Sequence, residues 1–118
     1  MKKLTINNRE LTFSLGLGLI GELLEELDLE TNVFFSKVSK NPYKYYPIIM
    51  YFSAKLHNEQ NGIETNFTLK DIISDLEQYN YLGVDDNPIL EFGKIFWDSV
   101  NKNAPVEESE ELETEKKK

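Results

Sequence analysis

Two short alternating segments on either side of Asn7-Asn8 constrain this chain more than any other feature. Residues 3–6 and 9–14 alternate apolar with polar side chains, the period of a half-buried strand. A two-residue turn at Asn7-Asn8 would place Leu4 opposite Leu11 and gather Leu4, Ile6, Leu11 and Phe13 on one face. Asparagine accepts positive φ more readily than most residues, which suits a type I′ turn. From Leu17 the period changes, and Leu17, Ile20, Leu24 and Leu27, widened by Leu23, recur as one helix face. The expectation is a hairpin that feeds an amphipathic helix.

Downstream, the polar run Asp28-Leu29-Glu30-Thr31-Asn32 breaks that helix, and a brief helix is expected around residues 33–38. Asn41-Pro42 and Tyr46-Pro47 are boundary signals, because a residue before proline is pushed out of the α region and proline suits a first helical turn. The next long helix is expected to start between them and to end at Asn61-Gly62. Its first turns, around Ile48, Ile49, Met50 and Phe52, are apolar almost all round and mark the central core helix. Thr68 begins another helix, with Asp71 near its positive end and Ile72, Ile73, Leu76 and Tyr79 following at helical spacing. Asn87-Pro88 reads as N-cap and first helical residue of a last helix, whose inner face is Ile89, Phe92, Gly93, Phe96, Trp97 and Val100. Trp97 is expected to pack with Phe92 and Phe96 against Phe52 and Leu56. The fold class is therefore mostly α (α+β): a short N-terminal hairpin, about five helices and an acidic tail. One domain spans residues 1–103, and residues 104–118, with six glutamates and three lysines, are expected to be disordered.

The 118 residues carry a net charge of −8, which opposes attraction to phosphate backbones and anionic lipid. Neither nucleic acid nor membrane is an expected partner, since no apolar run approaches the roughly 20 residues that span a bilayer. With neither a signal sequence nor any cysteine, the cytoplasm is the expected compartment. Lys37, Lys40 and Lys44 interleave with Tyr43, Tyr45 and Tyr46, a pattern that can stack on single-stranded bases. In so acidic a chain it reads better as a solvated lysine edge over partly buried tyrosines.

Groups for chemistry are scarce. The single histidine, His57, has no nucleophile or orienting partner at a useful spacing. Asp85-Asp86-Asn87 lacks the spaced oxygens of a calcium loop. Glu22 and Glu26 share a helix face, but the polar one. Gly16, Gly18 and Gly21 match G-x-G-x-x-G, yet they follow a hairpin and no acidic ribose ligand comes after, so close packing against the hairpin or another subunit is the better reading. No enzyme activity, cofactor or metal is expected.

The LTINNRELTF hairpin, the GLGLIGEL helix start, the helices that follow and the acidic tail together resemble the tail assembly chaperones of long-tailed phages and prophages. The resemblance implies a self-associating helical protein that binds the tape measure protein, keeps it soluble and assists tail tube polymerisation in the host bacterial cytoplasm. It also implies a longer, frameshifted form that contacts the tail tube protein, and the closing Lys116-Lys117-Lys118 would allow a slippery adenine-rich run. For the client surface, the aromatic-rich segment beside the two prolines, where helical periodicity is weak, is expected to supply Phe34, Phe35, Tyr43, Tyr45 and Tyr46. The alternative is an acidic phage or bacterial protein that inhibits a nucleic-acid-binding partner by charge mimicry. Its balance of fifteen acidic to ten basic residues over 1–103 is moderate for such a mimic.

Overall fold

Asn7 and Asn8 both take positive φ, 48° and 70°, as a type I′ turn requires. The turn fixes the register of an antiparallel hairpin, β1 (Lys2–Ile6) with β2 (Arg9–Phe13), in which Leu4 faces Leu11. These strands belong to a computed structural model that describes residues 2–82 and 87–103. Five helices follow: α1 (Leu17–Leu27), α2 (Thr31–Lys40), α3 (Pro42–Gln60), α4 (Leu69–Leu76) and α5 (Pro88–Asn103). Residues 104–118, expected to be a disordered tail, and Asp85-Asp86 lie outside the described residues.

A two-stranded ribbon is marginal in water unless something covers its apolar face. Here Leu4, Ile6, Leu11 and Phe13 are buried, with β2 lying against α3 and β1 against α5. The Phe13 and Phe92 rings meet edge to face at 4.9 Å, and the Ser14 amide donates to the Ser53 carbonyl at 3.1 Å. On the outer side, Arg9 pairs with Asp75 of α4 at 2.7 Å, and the Asn7 amide donates to the Tyr79 hydroxyl.

The central helix α3 packs against β2, α1, α2, α4 and α5. It begins at Pro42 and continues through Pro47, whereas a start between the two prolines was expected. Pro42 at the first position loses nothing, but Pro47 has no amide for the Tyr43 carbonyl, a defect that costs about 3 kcal/mol in an isolated helix. Tyr46, Pro47, Ile49 and Met50 are all buried, and that burial offsets the defect. The helix stops where expected, with Gly62 at φ 68°.

The remaining ends follow local rules. A capping box closes the start of α4: the Asp71 amide donates to the Thr68 hydroxyl, and the Thr68 amide to the Asp71 carboxylate at 2.9 Å. The Leu90 amide donates to Asn87 Oδ1 at the start of α5. Ile89, Phe92, Gly93 and Phe96 are buried as expected, but Trp97 is half-buried and meets α3 at Tyr46 rather than at Phe52 and Leu56. Phe52 stacks edge to face on Tyr51, and Leu56 lies beside Gly18.

In α1 the inner stripe is rotated from the expected one: Leu19 and Leu23 are buried, and Leu17 is 87% exposed. Six of its eleven residues are aliphatic, so more than one face could have turned inward. The glycines are not explained by close packing on the hairpin. A Cβ on Gly16 or Gly21 would meet nothing within 4 Å, and one on Gly18 only Leu56 at 3.8 Å. No helix among the described residues is long and apolar enough to cross a membrane.

Gly93 is different, because a Cβ there would lie 2.8 Å from Cε2 of the buried Tyr46 ring. Gly93→Ala is expected to destabilise by about 1–3 kcal/mol through overpacking. Gly21→Ala is expected to stabilise by about 0.5–1 kcal/mol, the helix-propensity difference at an exposed position. Thermal melts of the two variants check the pair, and a shift of the same sign in both would contradict this packing.

Candidate functional site

Between α1, α2 and α5 the helices stand apart and leave an open groove of about 500 Å³. Its first wall is Leu15, Leu17, Leu19 and Ile20, and Thr31 and Phe35 of α2 form the second. Phe96, Ser99 and Val100 of α5 close the third side. Volumes of about 300–1,000 Å³ are usual for binding pockets. No lining side chain is ionisable, so the groove offers apolar contact and shape and no acid–base group.

Local chain geometry opens it. Gly16 is extended, with φ and ψ both −162°, so α1 begins at a corner and without a side-chain cap. At the other end Asp28 takes a left-handed φ of 55°, and the Leu29 amide reaches back to the Leu24 carbonyl at 3.1 Å, the long bond of a Schellman motif. Only Leu29 and Glu30 separate Asp28 from α2. A corner at each end holds α1 on α3, and the space beside α5 stays unfilled.

The five aromatic residues expected to form a client surface do not form one. Phe34 is 0% exposed and Tyr46 is 6% exposed, so both are core. Tyr45 is half-buried, with the Lys44 ammonium 5.5 Å from its ring centre. Tyr43 is 48% exposed and meets Tyr81 edge to face at 5.7 Å. Phe35 is the one that lines the groove, because the helical period that turns Phe34 and Val38 inward turns Phe35 sideways. The α1 residues of the groove were missed, although six aliphatic side chains in an eleven-residue helix are more than one inner stripe can cover.

Elsewhere, the half-buried His57 ring is 3.4 Å from the Asn61 amide nitrogen. Among the described residues no group of three or more His, Asp or Glu side chains is placed to hold a metal. Glu25, Glu26, Asp28 and Glu30 are exposed, and among the described residues none of them is ion-paired.

Behind the groove, the Trp97 indole N–H donates to the Tyr46 hydroxyl at 2.6 Å, and its ring lies 5.8 Å from Phe35. Burial raises the Tyr46 pKa above its ordinary 10.0, and the bond from Trp97 partly offsets that. Tyr81 is raised as well, by burial and then by Tyr79, Tyr43 and Glu77. Its hydroxyl donates to the Leu76 carbonyl at 2.6 Å. Comparison of this chain with protein families, with curated proteins and with solved structures returns no match.

Because the folded state raises the Tyr46 pKa, the stability it confers is complete below about pH 10 and is lost as pH climbs through the raised value. Tyr46→Phe removes both the titrating group and the acceptor for Trp97. At pH 7 it is expected to cost about 1 kcal/mol. Above about pH 10 its deficit relative to wild type is expected to shrink. Melting curves from pH 7 to 11 check this; a constant difference would show that Tyr46 does not titrate with unfolding.

Proposed function

We propose that this chain is a tail assembly chaperone of a long-tailed phage or prophage, which seats the apolar stripe of its helical client, the tape measure protein, in the groove between α1, α2 and α5. The observation that carries the proposal is that groove: about 500 Å³, free of ionisable lining, with Leu17 standing 87% exposed at its rim. Large apolar side chains left in water beside a cleft mark a place where a partner docks. An amphipathic helix offers anchors at i, i+3, i+4 and i+7, the spacing that fills such a cleft. The order of a hairpin, helices and an acidic C-terminal stretch supports the phage reading through the resemblance.

The energetics suit a chaperone. Two or three Leu-sized anchors bury about 1.5–3 kcal/mol each, against an association cost of about 4–15 kcal/mol. One site therefore holds weakly and lets go, and many copies along one long client supply the retention. Release as the tail tube polymerises needs no energy source. A frameshifted longer form would bring the tube protein to the same client, and self-association would array the grooves.

The charge-mimic reading has one observation in its favour, the exposed carboxylates of α1 and the link to α2, which have no ion-pair partner among the described residues. It requires a basic partner but no groove. Co-expression with the tape measure protein of the same genome separates the two. Wild type is expected to keep that client soluble, and Leu17→Asp, which alters an exposed position and leaves the core intact, is expected to lose the effect. A client equally insoluble with and without this chain would end the proposal.

A further inference from the structure

The exposed edge of α1 that starts at the groove residue Leu17 is acidic. From Leu17 the exposed edge of α1 steps by helical neighbours to Gly21, Glu25 and Asp28, and Glu30 follows at the start of α2. Glu25, Asp28 and Glu30 are exposed, and among the described residues none is ion-paired. From residue 11 to residue 36 the chain has five carboxylates and no lysine, arginine or histidine, so this edge has no cation of its own nearby in sequence. The lining itself is uncharged on all three helices, so these carboxylates lie beyond it along α1 and at the start of α2.

We infer that the occupant of the groove is an amphipathic helix with lysine or arginine beside its apolar stripe. The inference rests on the helix-binding reading of the same groove. A helix laid along α1 with its stripe on Leu17, Ile20 and Phe35 runs one edge past Glu25, Asp28 and Glu30. Lysine and arginine at that edge can lay their methylene stems on the apolar wall and reach the carboxylates with their charged ends. Glutamates at the same positions would face like charge. The chain's own segment 106–118, with its six glutamates, and a second copy of a chain of net charge −8 are both disfavoured by this edge. Binding to three exposed carboxylates is expected to favour a basic flank by about tenfold at low salt, and the preference is screened as salt rises.

Three synthetic helices with one identical leucine stripe and flanks of lysine, glutamine or glutamate provide the test, titrated into the full-length protein at low and high salt. The lysine peptide is expected to bind about tenfold tighter than the glutamate peptide at low salt, with the gap closing at high salt. The triple variant Glu25→Gln, Asp28→Asn, Glu30→Gln is expected to abolish the preference and leave the glutamine peptide's affinity unchanged. Glutamine peptide bound, with lysine and glutamate flanks equal, overturns the charge inference and leaves the groove reading standing. A preference that survives in the triple variant overturns it too, as does a lysine peptide without leucines that binds equally well. If no peptide binds, or if Leu17→Asp instead dissociates a dimer that fills the groove, the helix-binding reading falls with it.

Discussion

Everything in this fold leans on Tyr46, the point where α3 meets α5. Its ring sits 5.7 Å from Phe92 and 6.3 Å from Phe96, and so close to Gly93 that no Cβ fits between. Its hydroxyl accepts the Trp97 indole proton. One phenol thus fills the seam with its ring and satisfies a half-buried donor with its tip, a division of labour that suits tyrosine and no other side chain. Phe92 carries the seam on to Phe13 of the hairpin, and Trp97 carries it to Phe35 of α2. The groove is thereby tied to this aromatic seam, with Phe35 and Phe96 among its lining residues.

What could be read from the sequence was what local rules decide. Leu4 opposite Leu11 follows from the turn at Asn7-Asn8, the Asn87 cap from the proline after it, and the end of α3 from Asn61-Gly62. Each depends on a few consecutive residues and on backbone preferences that any neighbourhood respects. Pro47 shows where that logic ends, since a local veto on helix was overruled by burying the segment that contains it. The reciprocal bond from Asp71 back to Thr68 lay within reach of the same rules, as a short-armed version of the capping box.

The site was far less legible, because a groove is made by helices that fail to meet. Density of aromatic residues singled out Phe34, Phe35, Tyr43, Tyr45 and Tyr46, but density is a property of chain order, and burial depends on rotation about a helix axis. Adjacent residues such as Phe34 and Phe35 end in different environments for that reason alone. In α1 the excess of leucine over what one inner face can hide was the available signal, and it concerned a helix rather than the aromatic stretch beyond it.

The hairpin's ties have a temporal side. β1 lies against α5, Lys2 reaches Asp98 at 4.0 Å and Arg9 reaches Asp75, so the hairpin finishes its contacts with elements made much later in synthesis. At about 5–20 residues per second, the apolar face of the ribbon waits several seconds for its cover. The core is not complete until α5 is in place, and long-range closure of this kind slows folding. During those seconds the nascent protein is itself an unshielded apolar surface, in need of the kind of protection it is proposed to give.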